Sequence, residues 1–427
     1  MNRTFGPRLL LLAALCLATY AATINIPLFE DEFPTLSLAH LYGSPGELGA
    51  LFHNPVYRTR ATTYWVMLAV YRAVGLAPWG YRLASLAFHI LGTWLVYALA
   101  LRWAPMKPAA FWAALFFAVA EGHQEAVVWF AGFTEPAMLV FGLAAMLCWL
   151  RAARSPRGWL WNAAGVVLFA LALISKETAA ILLPLFLLVM PRTDWRGSLT
   201  RLIPYALAGA VVAASILVQH GQSFRFSDGS FSPRAPFWII WPRGMGRLLW
   251  VWGWLALAAI AWARQRELWR AAGLALAWCG IALAPYSFLT YSTQIPSRQT
   301  YLASAGLALL FGLAVAYLET IPLASRKVLV AVVVIAAMVE NIGMVWTRKR
   351  RQFVERAAPT DQLIRTAWIY GGPIWVQCFP RNHWIAEAAV YWGAGMPPDA
   401  LVWSVEEARR RKVKAVFCFR SFDQLKR

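Results

Sequence analysis

The sequence predicts an α-helical protein that crosses a membrane about eleven times and ends in a small α/β domain. Three observations lead there. Of 427 residues, 60% are hydrophobic and only 14% charged, with a mean hydropathy of +0.53, a balance that soluble domains seldom show. Apolar runs long enough to span a bilayer recur through residues 1–346. Residues 347–427 then lose that character and alternate short strand-like and helix-like stretches.

The first apolar run, Leu9 to about Ile26, follows Arg3 and Arg8. It resembles a signal peptide up to Ala21-Ala22, but with so many later spans an uncleaved first helix is expected. The chain after it then faces away from the cytoplasm. Residues 27–82 form a first outer loop. Within it Thr62–Val74 is short, aromatic and interrupted by Arg72, a pattern for a helix lying in the interface; were it to cross, every later loop would change sides. Further spans are expected at 83–103, 109–120, 126–150, 159–174, 178–190, 202–219, 247–263, 271–289, 300–318 and 328–346.

On this topology the inner loops carry Arg102 and Lys107; Arg151, Arg154 and Arg157; Arg192, Arg196 and Arg201; Arg264, Arg266 and Arg270; and Arg326 and Lys327. The acids there are Asp194, Glu267 and Glu319. The formal charge of +20 is therefore read as topology signal and lipid-headgroup contact rather than nucleic-acid binding. The basic run Arg348–Arg351 opposes this parity, because an odd number of spans puts it and the tail outside. In the tail, 374–379 and 415–419 read as strands, and Ile385–Trp392 and Val405–Arg411 as helices. Of five cysteines, Cys16, Cys148 and Cys279 fall in apolar runs. Cys378 and Cys418 lie in the tail, where an oxidising compartment would let them pair.

The titratable groups that do not serve topology gather outside. His40, His53, His89, His123, His220 and His383 all fall in outer loops, outer helix ends or the tail. Glu30, Asp31, Glu32, Glu121, Glu125, Glu135, Lys176, Glu177, Arg243 and Arg298 fall on the same side. Mixed acids, bases and imidazoles at a membrane surface are what proton transfer and anion binding require.

The three consecutive acids Glu30-Asp31-Glu32 stand either as a solvated loop after the first helix or as a site in which mutual repulsion raises one pKa and supplies a proton acceptor. Glu121–Glu125 is either a polar turn satisfying itself or a set in which His123 and Glu125 orient substrate or bind a metal. Lys176-Glu177 either neutralises itself or leaves Lys176 to hold a phosphate. Arg298 either snorkels to headgroups or clamps a lipid phosphate. No spacing specifies a metal site, and a divalent metal stays open.

Taken together and in order, five stretches resemble the C-type glycosyltransferases, polytopic sugar transferases that use lipid-linked donors. They are EDEF at 30–33, YRTRATTYW with GYRLASLAFH within 57–89, GHQEAVVWFAG at 122–132, SKETAAILLPL at 175–185 and SRQTYLASAGL at 297–307. The resemblance is greatest to protein O-mannosyltransferases, especially those carrying tetratricopeptide repeats. It implies Asp31 as general base, with Glu32 beside it for acceptor or sugar contacts. It also implies Arg298 as ligand of the donor phosphate with Lys176 as a second candidate, and His123, Glu125, Arg58 and His89 lining the cavity. The chain departs from that group at Ala120-Glu121, where a His-Pro pair is usual, at Phe133, where Arg is common, and in its tail, where repeats are replaced.

The expected partners are a polyprenyl-phosphate-linked sugar, a protein or glycan acceptor and membrane lipids, with no nucleic acid. The expected location is a bacterial inner membrane with the working face on the periplasmic or exterior side. The second reading is a transporter or flippase for a lipid-linked or anionic substrate, which would require mid-membrane charges, broken helices and two similar halves; the short spans at 159–174 and 178–190 are its best support. The third is a membrane scaffold presenting its tail to a partner.

Overall fold

The computed structural model describes residues 5–190, 194–218, 229–290 and 293–419. His220 and Arg192, placed above in an outer and an inner loop, lie outside the described residues. Among the described residues, eight helices are long and apolar enough to cross a bilayer, and three shorter apolar helical segments accompany them. This is the polytopic helical architecture with a small C-terminal sheet that the sequence predicts.

Helix α1 (Phe5–Tyr20) leads into the acids, and α2 (Glu32–Tyr42), α3 (Pro55–Arg58) and α4 (Ala61–Val74) fill the first loop. Asn54 caps α3 by accepting from the amides of Val56 and Tyr57, as a residue of its type does at a helix start. Rather than spanning, α4 packs Tyr64 and Met67 with Tyr57, Phe33 and Leu36 in a second apolar cluster beside the main core.

Helices α5 (Pro78–Trp103) and α6 (Lys107–Val119) follow. The span expected over 126–150 is broken into α7 (Gln124–Val128) and α8 (Thr134–Ala152). The break frees the amide of Phe130, which donates to Glu32 Oε1 at 2.5 Å. Between α9 (Gly158–Ser175) and α10 (Leu182–Leu188) the chain is extended at Lys176, an interruption the polar triplet at 175–177 foretells. The bundle continues with α11 (Trp195–Val218), α12 (Phe237–Ala263), α13 (Arg266–Leu283), α14 (Ser304–Leu318) and α15 (Arg326–Met344).

The hub is α14, buried almost throughout. Its length of about 22 Å falls short of a bilayer core, which costs little because protein rather than lipid surrounds it. It approaches α6 so closely that a Cβ at Gly312 would lie 2.2 Å from the carbonyl oxygen of Ala109. Next to Gly312, Phe311 stacks on Phe116 at 4.5 Å. Small residues at such a crossing let dispersion do what the hydrophobic effect cannot do inside a membrane.

Helix α15 runs through a π-helical turn at Val345–Lys349 into α16 (Arg350–Tyr370), a polar helix that the tail reading above does not contain. The rest of the tail follows the expected order: β1 (Ile374–Cys378), α17 (His383–Ala394), β2 (Leu401–Val402), α18 (Val405–Arg410) and β3 (Ala415–Cys418). The three strands are parallel in the order β2-β1-β3, and the two-residue β2 is too short to announce itself in sequence. Cys378 and Cys418, neighbours on β1 and β3, are joined as a disulfide. The tail docks on the end of the bundle that carries the acids: Trp392 Nε1 donates to Ser37 Oγ at 2.8 Å and its ring lies 5.1 Å from that of His40.

Candidate active site

The three consecutive carboxylates have three different fates. Glu32 is fully buried and paired with Arg82, whose Nη2 also donates to the carbonyl oxygens of Ile26 and Pro27. Glu32 accepts further from the amides of Phe29 and Phe130. Expected above to touch acceptor or sugar, Glu32 instead ties the loop, α5 and the α7–α8 break together with every lone pair in use.

Glu30 turns the other way. Its φ of +49° lies in the left-handed region that non-glycine residues seldom occupy, and such strain persists only where surroundings over-determine it. Two cations from the tail do so. Arg356 of α16 donates from Nη2 to Glu30 Oε2 at 2.5 Å and from Nε to Oε1 at 3.1 Å, and Arg381 reaches Oε1 at 2.5 Å.

Asp31, between them, is partly buried. Among the described residues its carboxylate takes part in no hydrogen bond or ion pair. Burial first, and the charge of Glu30 second, push its carboxyl above the usual carboxylate range, against the pull of Arg298, Arg60 and Arg356. The backbone explains the division: a left-handed residue followed by the first turn of α2 aims successive side chains at the tail, the cleft and the core.

Across from Asp31, Glu125 at the start of α7 accepts from Arg298 Nη1 at 3.0 Å, from Ser297 Oγ at 2.9 Å and lies 3.5 Å from Arg356 Nη1. Burial raises its carboxyl, but Arg298 and Arg356 override that and hold it below the ordinary range. Arg298 and Arg356 each stand 5.0 Å from the ring of Trp129, an aromatic face that holds both guanidinium groups in place. Here lies a mixed cluster: Glu125 and Glu30 are each paired with arginines, and among the described residues one carboxylate, Asp31, is left unpartnered beside them.

The other expected site residues lie elsewhere. Lys176 is buried in an ion pair with Glu135, which also accepts from Tyr286; the partner of Lys176 is therefore Glu135 of α8 rather than the adjacent Glu177. Arg58 is buried and donates to the carbonyl oxygens of Leu51 and Phe52, closing the loop ahead of α3. His89 and His123 are fully buried, their rings 5.3 Å apart. His89 Nδ1 accepts from Tyr301 and its Nε2 donates to the carbonyl of Ala118. His123 Nε2 bonds Ser304 Oγ at 2.6 Å. These imidazoles belong to an aromatic packing cluster with Phe117 and Tyr301. Among the described residues no group of three His, Cys, Asp or Glu side chains is placed to hold a metal ion.

Sequence reasoning missed Arg356, Arg381 and Trp129. Arg356 had a signal: Phe353, Ala357, Thr360, Leu363 and Ala367 recur at helical spacing and are the buried face of α16. Pro359 inside that stretch argued against a helix.

Residues 61–220 match the family model described as dolichyl-phosphate-mannose-protein mannosyltransferase. The chain is 30% identical over 179 residues to the protein O-mannosyl-transferase Tmtc1 of Drosophila melanogaster, covering 39% of this chain and 21% of that one. To Tmtc2 of the same organism it is 37% identical over 114 residues, covering 25% and 12%. The chain thus spans about a fifth or less of the length of these curated relatives. Among solved structures, ArnT from Cupriavidus metallidurans bound to undecaprenyl phosphate superposes with a TM-score of 0.55 at 15% identity, over 94% of this chain and 90% of that one. The Archaeoglobus fulgidus oligosaccharyltransferase in complex with Zn and sulfate gives 0.56 at 14%, over 92% and 62%. The mycobacterial arabinofuranosyltransferase AftD gives 0.51 at 18%, over 88% and 29%. The chain has the C-type glycosyltransferase fold, as its five stretches of sequence imply.

Proposed function

We propose that this chain, built on the C-type glycosyltransferase fold, moves a sugar from a polyprenyl-phosphate donor to a hydroxyl of a protein or glycan acceptor, with Asp31 as general base. The single observation that carries this is the separation of fates among the three acids. Glu30 and Glu32 are consumed by arginines, while Asp31 is left unpartnered, half-buried and raised in pKa beside Arg298 and Arg60. A base whose pKa moves up toward the working pH keeps driving force for proton abstraction while still ionised.

In the reaction Asp31 takes the proton of the acceptor hydroxyl as its oxygen attacks the anomeric carbon. The bond from that carbon to the phosphate oxygen breaks on the opposite face, and the configuration inverts. Charge gathers on the departing polyprenyl phosphate, where Arg298, one quarter exposed, is placed to meet it. Lys176 is assigned no such contact, because its charge is met by Glu135 within the protein interior. The matched mannosyltransferase model favours a mannose-like hexose as the sugar, and the outward face of a bacterial inner membrane suits a lipid-linked donor.

Asp31→Asn tests the reading, since it keeps shape and removes the base. With a radiolabelled polyprenyl-phosphate hexose, the variant is expected to bind donor as the wild type does and to lose transfer by about 10²–10⁴-fold. Equal transfer by both proteins overturns the assignment of Asp31. Passage of the intact lipid-linked sugar across liposomes, with no cleavage by either protein, overturns the transferase reading itself.

A further inference from the structure

At the opposite end of the bundle from Asp31 lies a cavity that the proposed reaction does not use. The stretch of α5 from Arg82 to Arg102 is about 30 Å long, so Arg102 stands one hydrocarbon thickness from the Glu32–Arg82 pair, at the far headgroup level. There Arg102 at the end of α5, Arg151 in the last turn of α8 and Arg154 just beyond it surround a cavity of about 170 Å³. The apolar part of its wall is Leu99, Trp103, Leu150 and Val189.

We infer that this cavity is a binding site for the phosphate headgroup of an anionic glycerophospholipid of the inner leaflet. Arginines at this level are expected merely as topology signals, but a topology signal has no need to converge. Arg102 is near enough to both Arg151 and Arg154 to be repelled by them, and among the described residues none of the three makes an ion pair with a carboxylate. Elsewhere on this face Arg201 does have one, Asp194 at 2.7 Å. Like charges gathered around a hollow without a counter-charge are stabilised by an anion, and guanidinium groups match phosphate oxygens in pairs.

The apolar wall selects the lipid source over free phosphate. Trp103 also lines a neighbouring cavity with Leu274 and Leu309, so an acyl chain leaving the headgroup site meets apolar side chains on either side of the indole. Basic pockets between spans on the cytoplasmic side take anionic headgroups in this way.

The test is lipid retention. The purified full chain is equilibrated in bilayers of phosphatidylcholine with a minority of phosphatidylglycerol, and the lipids carried into native mass spectrometry are counted. Wild type is expected to retain phosphatidylglycerol selectively. Arg102→Gln, Arg151→Gln and Arg154→Gln combined are expected to lower that retention at least about ten-fold, with the three-fold lysine variant in between. All three side chains are exposed, so the variants are expected to unfold at the wild-type temperature in phosphatidylcholine alone, which separates loss of the site from loss of the fold. Equal retention by wild type and the glutamine variant overturns the proposal. So does protection by inorganic phosphate with no selectivity for phosphatidylglycerol, which would move the ligand from lipid to solute.

Discussion

Arg82 and Glu32 form a buried ion pair, and the carboxylate of that pair also accepts the amide of Phe130 where the 126–150 segment breaks. One side chain thereby fixes the exit of α1, the outer end of α5 and the entry of α8. Removing the charge of Glu32 leaves Arg82 buried without a counter-charge, the costly way to break such a pair.

Glu32→Gln is therefore expected to cost about 3–5 kcal/mol of stability, seen as a large drop in melting temperature and in yield from detergent. Asp31→Asn, one residue earlier, is expected to do the opposite.

The sign for Asp31 follows from linkage. Its carboxyl is raised in the folded protein above its unfolded value, so the folded state binds the proton more tightly. The stability this gives is fully present below the unfolded pKa and is lost as pH rises through the folded one. At neutral pH an ionised Asp31 therefore destabilises the fold. The asparagine variant is expected to melt higher than wild type at pH 7, with the difference closing as pH falls toward 4. A lower melting temperature at pH 7 would contradict the raised pKa.

Arg356→Gln removes the cation that Glu30 and Glu125 share and that draws down the pKa of Asp31. Transfer is expected to fall by about 10²-fold through misplacement of the site. The acid limb of the kcat/KM profile is expected to move to higher pH, because Asp31 holds its proton longer. A lower rate with an unmoved limb would make Arg356 a purely structural contact.

Gly312→Leu drives a side chain into the Ala109 carbonyl at the α6–α14 crossing. Overpacking of this kind costs about 1–3 kcal/mol and sometimes more. Thermal unfolding in detergent is expected to show the loss, whereas leucine at Gly246, which has open space, is expected to be neutral.

The membrane architecture was legible because hydropathy over a bilayer's width is a strong, local signal. The break at Lys176 left polar residues in an apolar stretch, whereas the one after Val128 falls in the apolar run 129–133 and left no such mark; the strands of the tail carried their β-branched and aromatic runs. What was not legible was partnership. Nothing local distinguishes Glu32 from Asp31, yet Arg82 and the Phe130 amide decide that one is structural. Lys176 looked available because its partner, Glu135, comes from another helix. His89 and His123 looked polar on an outer helix end, and only packing shows them enclosed by Phe117 and Tyr301. The cation that meets Glu30 stands 326 residues further on, beyond the reach of any motif.

That last separation has a consequence for biosynthesis. Every span enters the membrane before α16 and the sheet of the tail have left the ribosome, so Glu30 waits without Arg356 or Arg381 while the bundle assembles. The neighbourhood of Asp31 reaches its final electrostatics only when the last fifth or so of the chain folds against α2. The order of synthesis therefore makes the tail the last part of the chain to complete the charges around Glu30 and Asp31.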